Sequence, residues 1–327
     1  MSGVVLVTGG AGYIGSHVSK ALAESGFTPV CYDTLEKGHS WAVRWGPLEC
    51  GDIGDAARLE EVFARHKPRA IVHMAGYIEV GESVRQPERY LHNNATKSEV
   101  LVAAAVRHGV DAFVFSSTCA VYGMPQTEKL DETHRIAPLN PYADSKARVE
   151  ATLTRAASAG LRSASLRYFN AAGADIGGEI GEAHEPETHL LPLAIDATLG
   201  LAPSLTLLGD DYPTPDGSCV RDFIHVSDLA DAHLRALHWL QRAPVTGLHE
   251  QFNIGSGSGY SVRQVMTETA RITAHPVPYT VGARRPGDSP RLVGNIEKSH
   301  RELSWLPKRD LDIQIEDTLR WRRKMPR

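Results

Sequence analysis

The sequence predicts an α/β protein whose core is a doubly wound parallel sheet. A first observation is the apolar run Val4-Val5-Leu6-Val7, which has the composition of a strand buried on both faces. A second is the glycine-rich segment that follows this run directly and leads into a helical pattern. The third is the alternation of strand and helix patterns through the first half of the chain, which is typical of parallel sheets with helical crossovers.

The segment from Thr8 to Gly15 reads TGGAGYIG and has G-x-x-G-x-x-G spacing. A tight glycine turn between strand and helix lets the backbone approach a pyrophosphate, and the helix N-terminus adds free N–H groups and a positive dipole end. Asp33 follows Gly15 by 18 residues and ends the second apolar run. A carboxylate there accepts the ribose hydroxyls of NAD and repels the additional phosphate of NADP. The sequence therefore favours an NAD site over a purely structural turn.

The same alternation organises the rest of the chain. Strands are predicted at 70–74, 112–117, 164–168 and 252–254, and helices at 88–108, 142–159, 228–241, 261–273 and 313–323. We expect a Rossmann-type nucleotide-binding domain at 1–171, to which residues 220–255 return. We expect a smaller C-terminal substrate-binding lobe formed by 172–219 and 256–327. The active site is expected in the cleft between the two.

Composition and charge exclude several classes of protein. Hydrophobic residues make up 42% and charged residues 23% of the 327 positions, as in globular proteins that bury a core without disulfides. The 35 basic and 39 acidic residues leave a net charge of −4, which argues against nucleic acid or an anionic membrane as a partner. The sequence has neither an apolar run of membrane-spanning length nor a signal peptide. We therefore expect a cytoplasmic enzyme.

Cysteine and histidine spacings argue against a metal site. The four cysteines are far apart and lack C-x-x-C spacing, as in a reduced cytoplasmic chain. His184 and His189 invite a metal interpretation, but they are five residues apart, and Pro186 breaks the helix that would align them. We therefore expect no metal.

A group of hydroxyl and amine side chains carries the candidate chemistry. Ser116, Ser117 and Thr118 end a predicted strand, where open α/β sheets bind their ligands. Tyr142 and Lys146 are four residues apart, so a helix places them on one face. A free tyrosine has a pKa of about 10, and a neighbouring cation favours its phenolate as a general base. Such a pair alone is usually structural, but the dinucleotide turn and the hydroxyl cluster favour the catalytic interpretation.

Several stretches of the chain carry a family resemblance. Between Val4 and Trp305 they read VTGGAGYIGSH, GDI, VGESV, FSST, VYG, PYADSK, LRYFNAAGA, GDDYPTPDGSCVRDFIHV, DLADAH and RRPGD. They resemble the extended branch of the short-chain dehydrogenase/reductases and, within it, the UDP-hexose 4-epimerases. The resemblance implies reversible epimerisation at carbon 4, from UDP-galactose to UDP-glucose, through a transient 4-keto intermediate with bound NAD. It also implies a role in galactose metabolism and a homodimer built from two helices of the nucleotide-binding domain.

The resemblance assigns residues to each part of NAD. The implied cofactor-binding residues, from the pyrophosphate through the ribose and adenine to the nicotinamide, are Gly9, Gly12, Tyr13, Ile14, Gly15, Asp33, Asp52, Ile53, Met74, Ala75, Gly76, Asn94, Ser116, Tyr142, Lys146 and Phe169.

The resemblance also assigns residues to the substrate. Thr118 and Tyr142 face carbon 4 of the sugar. The residues implied to hold UDP are Asn170, His189, Leu190, Thr206, Leu207, Leu208, Arg221, Arg285 and Asp288. The arginines suit this role because guanidinium pairs well with phosphate. Arg221 with Asp222 and Arg285 with Asp288 can instead be structural ion pairs.

Other functions stay open from the residues alone. Leu292 falls at the position that gates the substituent on carbon 2, and its intermediate size leaves open a 4-epimerase of UDP-N-acetylhexosamine or another UDP-sugar. A 4,6-dehydratase is disfavoured because Cys119 and Ala120, rather than an Asp-Glu pair, follow Thr118. A non-catalytic NAD-sensing protein is the alternative of another class; such proteins commonly lose the Tyr/Lys pair.

Overall fold

Strands and α-helices alternate along residues 3–285 and 288–326, which the computed structural model describes. The strands are β1 Val4–Thr8, β2 Thr28–Asp33, β3 Leu48–Cys50, β4 Ala70–His73, β5 Ala112–Thr118, β6 Arg162–Tyr168, β7 Asn170–Ala172, β8 Leu205–Leu208, β9 Val220–Arg221, β10 Phe223–His225, β11 Leu248–Ile254, β12 Tyr260–Ser261, β13 Tyr279–Gly282 and β14 Arg291–Leu292. The helices are α1 Tyr13–Glu24, α2 Ala56–His66, α3 Val80–Arg85, α4 Pro87–Tyr90, α5 Lys97–Arg107, α6 Pro141–Ala157, α7 Leu190–Thr198, α8 Val226–Arg242, α9 Val262–Thr273, α10 Glu297–Leu303 and α11 Leu311–Lys324.

Seven strands form one parallel sheet in the order β11-β6-β5-β4-β1-β2-β3. Successive strands are added on one side of β1 up to β3 and on its other side from β4 onward. The position between β1 and β4 is therefore the switch point, where dinucleotides bind in Rossmann folds. The predicted fold class is therefore confirmed. The carboxyl ends of the strands meet at one edge, where Thr8, Asp33 and Thr118 are the last residues of β1, β2 and β5.

Helices cover both faces of this sheet. On β1, Val5 and Val7 belong to one buried core, which α1 and α8 complete with residues such as Val18 and Leu237. Leu6 points to the opposite core, formed with α2, α5 and α6. The alternation of side chains along a strand explains why every residue of this run is apolar.

The helix predicted at 88–108 is not a single α-helix. A π-helical turn at Leu91–Thr96 separates α4 from α5. Asn94 lies in this turn, where its buried side chain accepts the Tyr77 N–H at 2.8 Å and donates to the Tyr77 carbonyl at 2.9 Å. The wider turn accommodates a side chain that braces a distant loop, and hydrophobic periodicity contains no signal for it.

A second, smaller core lies between α7, α9 and α11, where Leu191, Ile195, Val265 and Ile315 pack together. Between β7 and this core the chain runs as an irregular loop over residues 173–189. Within residues 3–285 and 288–326, every helix is too short or too polar to cross a membrane.

A buried ion pair joins the sheet to α6 behind the carboxyl end of β5. Arg167 donates to both carboxylate oxygens of Glu150, through Nε at 3.0 Å and Nη2 at 2.5 Å. The two side chains are only 5% and 8% exposed. Ser117 Oγ and Tyr122 Oη complete the network, the first as donor to Glu150 at 2.5 Å and the second as acceptor from Arg167 at 3.2 Å. Such a pair is strongly destabilising to break because the remaining charge is left buried.

We predict that Glu150→Leu lowers the free energy of unfolding by about 3–5 kcal/mol, because Arg167 then lacks its counter-charge in the interior. Glu61→Leu is the matched control, since Glu61 is 63% exposed and pairs with Arg58 on the surface of α2. Its effect should stay within about 1 kcal/mol. Urea unfolding followed by circular dichroism measures both, and equal effects would contradict this account of the pair.

Candidate active site

One cavity of about 490 Å³ runs along the carboxyl edge of the sheet to the loop that carries His189 and to Arg221 and Arg285. Most residues predicted to bind ligands line it. The predicted residues in its wall are Gly9, Gly12, Tyr13, Ile14, Gly15, Asp33, Asp52, Ile53, Met74, Ala75, Gly76, Thr118, Tyr142, Phe169, Asn170, His189, Arg221, Arg285, Asp288 and Leu292.

Other predicted residues lie behind this wall or away from it within the described residues. These are Asn94, Ser116, Lys146, Leu190, Thr206, Leu207 and Leu208. Asn94, Ser116 and Lys146 are buried beneath the wall, where they position other groups. Leu190 begins α7, and the other three lie on β8, which pairs with β13.

The glycine turn forms one end of the cavity. Gly9 has φ +72°, a conformation that favours glycine, and a Cβ there would lie 2.7 Å from the Ala75 nitrogen. A Cβ on Gly15 would lie 2.1 Å from the Gly9 carbonyl oxygen. Gly12 is the N-cap of α1, so the first-turn N–H groups face the cavity without a capping side chain. This arrangement suits the pyrophosphate of a dinucleotide.

Two carboxylates continue the wall from the glycine turn. Asp33 is held by the backbone, since Oδ2 accepts from Ala11 N at 3.0 Å and Oδ1 from Leu35 N at 2.9 Å. Asp52 Oδ2 accepts from Lys97 Nζ at 2.5 Å. The Asp33 carboxylate has free lone pairs next to the turn, which is where the ribose of NAD would need an acceptor.

Tyr142, Thr118 and Lys146 meet below the middle of the cavity. Asn140 caps α6 by accepting from Ala143 N at 2.9 Å, which places Tyr142 and Lys146 in its first turns. Thr118, at the end of β5, lies close enough to the hydroxyl of Tyr142 to favour its ionised form. Lys146 Nζ donates to the Ser116 carbonyl oxygen at 3.0 Å.

The charge state of this group differs from the one the spacing predicts. Burial raises the pKa of Tyr142 well above its usual value, and the neighbouring Thr118 hydroxyl only partly offsets this. Burial also lowers the pKa of Lys146 to about 8. The predicted depression of the tyrosine pKa by Lys146 is therefore not seen, because both groups are desolvated and Lys146 Nζ is directed at the Ser116 carbonyl oxygen.

Cationic side chains gather at the other end of the cavity. Arg221 Nη2 donates to Asp288 Oδ1 at 2.7 Å. The predicted alternative, an ion pair of Arg221 with Asp222, is wrong because the Asp222 carboxylate accepts backbone N–H groups from the loops around it instead. Arg285 and His189 line the same end. Three cations facing one anionic partner make this end suited to phosphate.

Arg285 and Asp288 are linked through their backbones. The Asp288 N–H donates to the Arg285 carbonyl oxygen at 3.1 Å. Pro286 and Gly287 lie outside the described residues. The structural alternative of an Arg285–Asp288 ion pair is disfavoured because Asp288 is engaged by Arg221.

The loop at 173–189 brings His184 and His189 together, although Pro186 prevents a helix. Ligand atoms of Glu182, His184, Glu187 and His189 all lie within 4.8 Å of one another. His189 Nδ1 hydrogen-bonds Glu182 Oε1. Helical spacing was the wrong criterion here, since a loop rather than a helix gathers the four side chains.

Sequence reasoning missed a hydrogen-bond chain beneath the cavity. His233 Nδ1 lies 2.8 Å from the Leu229 carbonyl and so donates to it, which leaves Nε2 to accept from Ser116 Oγ at 2.9 Å. Burial lowers the pKa of His233 to about 4, consistent with this neutral form. Ser116 also lies close to the hydroxyl of Tyr168, which lines the cavity, and favours the ionised form of that tyrosine. The only sequence signal was that His233 falls in the DLADAH stretch.

Comparison with known proteins identifies the family. A model of the NAD dependent epimerase/dehydratase family matches residues 5–255. The chain belongs to this family. Its site fits NAD, the cofactor in the family's description. At the turn, Gly9 and Gly15 lie so close to neighbouring backbone atoms that no side chain fits, and the Asp33 carboxylate lies next to the turn in the cavity wall.

Individual relatives in this family are similar over nearly their whole length. UDP-glucose 4-epimerase from Rhizobium leguminosarum bv. trifolii is 50% identical, and the match covers 98% of this chain and 97% of the relative. The structure of Brucella ovis UDP-glucose 4-epimerase in complex with NAD has a TM-score of 0.93 at 44% identity, with 97% of each chain covered. The Bifidobacterium longum enzyme in complex with NAD+ and UDP has a TM-score of 0.93 at 33% identity, with 99% of each chain covered.

We predict that Gly15→Ala lowers the affinity for NAD at least about tenfold, equivalent to about 1.4 kcal/mol. The added Cβ would lie 2.1 Å from the Gly9 carbonyl oxygen, so the turn must move away from its present position. Gly3→Ala is the control, since a Cβ on Gly3 has open space around it. Calorimetric titration of NAD measures both variants, and unchanged affinity in Gly15→Ala would refute the role of the turn.

Proposed function

We propose that this chain is a UDP-glucose 4-epimerase that interconverts UDP-galactose and UDP-glucose with bound NAD. The observation that supports the proposal most directly is that three groups of residues, each suited to a different part of the reaction, line one cavity. A glycine turn suited to a dinucleotide pyrophosphate lies at one end, and a cationic group suited to a diphosphate lies at the other. A buried tyrosine with a threonine hydroxyl lies between them.

The chain's own residues supply the proton chemistry. Tyr142 takes the proton from the hydroxyl on carbon 4 and returns it after the sugar has turned over, and Thr118 shares the same oxygen. When bound, NAD would supply the hydride acceptor and a positive charge. Because burial raises the pKa of Tyr142, its phenolate needs such a charge nearby. Lys146 fixes the carboxyl end of β5 through the Ser116 carbonyl and adds a cationic donor beneath the site.

Two parts of the chain form the cavity, and each binds one of the two ligands. Residues 1–171 together with 220–255 form the part that binds NAD, and residues 172–219 and 256–327 form the part that binds the UDP-sugar, to which Arg221 of the first part also contributes. Leu292 lies in register with Arg221 and packs beside Cys119 and Phe169. It therefore lies between the cationic end and the hydroxyls of Thr118 and Tyr142, where it limits the size of the substituent on carbon 2 of the sugar.

The first experiment adds UDP-galactose to the purified protein with NAD and follows the anomeric sugar signals by NMR. Conversion to an equilibrium mixture with UDP-glucose supports the proposal. A parallel reaction with UDP-N-acetylgalactosamine tests whether Leu292 admits the larger substituent. Binding of NAD without conversion of any UDP-sugar would favour the non-catalytic, NAD-sensing alternative.

We predict that Tyr142→Phe lowers turnover of UDP-galactose by about 10²–10⁴-fold, since the general base is removed. Affinity for UDP should stay within about twofold, because Tyr142 lies away from the cationic end of the cavity. Tyr279→Phe serves as the control, since Tyr279 lies exposed on β13. Turnover is measured by NMR and UDP affinity by calorimetry, and near wild-type turnover in Tyr142→Phe would overturn the assignment.

We further propose a homodimer formed through α5 and α6. The two helices lie side by side, and a groove between them is lined by Val102, Ala103, Val106 and Ala156. Charged side chains flank these small apolar ones, as at the rim of a helix-packing interface. A second copy related by a twofold axis would bury the groove in a four-helix arrangement.

We predict that Ala103→Arg converts the dimer to a monomer, because Ala103 is exposed in the groove and a long cation there blocks close helix packing. Ala57→Arg, which changes an exposed alanine on α2, should leave the dimer intact. Light scattering after size-exclusion chromatography gives the mass of each. A monomeric wild-type protein would refute the dimer, and a dimeric Ala103→Arg would refute this face.

A further inference from the structure

Glu182 is a buried carboxylate that the proposed catalytic steps do not use. Its side chain is 2% exposed, and its backbone carbonyl accepts the indole N–H of Trp321 on α11 at 2.8 Å. Gly181 packs closely on the same indole, since an added Cβ would lie 2.4 Å from the ring. The smaller core therefore fixes this carboxylate in place, and a buried carboxylate requires a partner of opposite charge.

Imidazole rings supply that partner. His189 Nδ1 hydrogen-bonds Glu182 Oε1, whereas His184 Nδ1 lies 2.8 Å from the same oxygen but off the line of a hydrogen bond. Burial raises the pKa of Glu182, but the two imidazoles outweigh it and lower the value to about 2. Burial lowers the pKa of His189, but the charge and hydrogen bond of Glu182 raise it to about 9. At neutral pH the arrangement is thus an imidazolium on a carboxylate.

The other side of the His189 ring faces the cavity. Its side chain is 44% exposed and lines the same end as Arg221 and Arg285. Arg285 is near enough for its charge to oppose protonation of His189. Asp288 pairs with Arg221 as Glu182 pairs with His189, so each pair presents a charged donor to the cavity.

We propose that Glu182 is a positioning residue that holds His189 in its cationic form, so that His189 joins Arg221 and Arg285 in binding the diphosphate of the nucleotide sugar. The inference rests on the proposed function, and it assigns a role to a residue that lies outside the cavity wall. Glu182 acts through His189 rather than on the substrate.

The remaining groups around His189 are consistent with this role. Glu187 Oε1 accepts the backbone N–H groups of Thr188 and His189 at 2.7 and 2.9 Å, which fixes the loop. Its charge adds to that of Glu182 in favouring the imidazolium. Behind His189, the His184 ring packs edge-on between His189 and Tyr13 of the glycine turn, at centroid distances of 5.3 and 6.3 Å.

The same four donors could instead hold a divalent cation, since their ligand atoms lie within 4.8 Å of one another. A cation there would have to displace the proton of His189 from Glu182, because imidazole binds metals only in its neutral form. The ion pair already balances Glu182, which makes the protonated arrangement the one the observations favour. Metal occupancy is therefore an outcome of the test rather than part of the proposal.

The test compares Glu182→Gln with Glu179→Gln, a half-buried glutamate on the same loop that pairs with Lys20 and Arg44 and does not line the cavity. Calorimetry at pH 7.5 measures the dissociation constants of UDP and of uridine. In Glu182→Gln the affinity for UDP should fall roughly tenfold, the loss of one charge-assisted contact, while uridine is unaffected. KM for UDP-galactose should rise similarly, with kcat within about twofold. Equal losses for UDP and uridine would overturn the proposal, because they would indicate general damage to the site.

The pH dependence of the affinity of the wild-type protein for UDP tests the proposal without a variant. The raised pKa of His189 means that the cation is present below about 9 and is lost as the pH rises through that value. Affinity for UDP should therefore be constant between pH 7 and 8 and decline above about pH 9. In Glu182→Gln the decline should move toward the usual histidine range near 6.5. A wild-type affinity that does not change between pH 7 and 10 would overturn the proposal even if the variant failed to fold.

A double-mutant cycle separates positioning from a merely structural role. His189→Asn should weaken UDP binding about as much as Glu182→Gln, and the double variant should be no weaker than either. Additive losses would show that Glu182 acts independently of His189 and would overturn the proposal. Stoichiometric zinc, manganese or magnesium in the purified wild type, lost in Glu182→Gln, would also overturn it. Absence of epimerisation by the wild type would instead contradict the proposed function.

Discussion

The backbone contact between the glycine turn and the loop after β4 is the constraint on which the rest of the site depends. Gly9 approaches Ala75 so closely that a Cβ would lie 2.7 Å from its nitrogen, and Gly15 approaches the Gly9 carbonyl still more closely. These contacts place the N-terminus of α1 over the switch point between β1 and β4. Parallel register then brings Asp33 and Thr118, the last residues of their strands, to the same edge. Strand register therefore sets where the later site residues lie relative to the turn.

Burial makes the protonation state of Tyr142 depend on the charges that lie beside it. Desolvation raises the pKa of Tyr142, so its phenolate is disfavoured in the bare site, whereas Lys146, with a pKa of about 8, stays mainly cationic at neutral pH. A phenolate in this position gains from further positive charge within a few ångströms, which a cationic cofactor can supply. We therefore expect proton abstraction by Tyr142 to be coupled electrostatically to cofactor binding.

The parts of the molecule that sequence predicted well are those specified by local spacing. The glycine turn, the Tyr142–Lys146 pair and the parallel sheet follow from residues within a few turns of each other. The partners of Arg221 and Ser116 do not, since Asp288 lies 67 residues away and His233 lies 117 residues away. Neither hydrophobic period nor motif spacing reports on such contacts. Long-range electrostatics decides them only once the sheet and the loops have been assembled.

The distribution of charge along the cavity suits epimerisation, which requires the nucleotide to stay bound while the hexose turns. The 4-ketose must present opposite faces to the hydride donor, so the hexose must turn while the nucleotide stays bound. Charged groups that can hold a diphosphate lie at one end, where Arg221, Arg285 and His189 meet. Around Thr118 and Tyr142 the wall offers hydroxyls and apolar side chains, which form fewer and weaker bonds to a sugar than guanidinium forms to phosphate. We therefore infer that the same cavity anchors the UDP more strongly than the hexose, as rotation of the hexose requires.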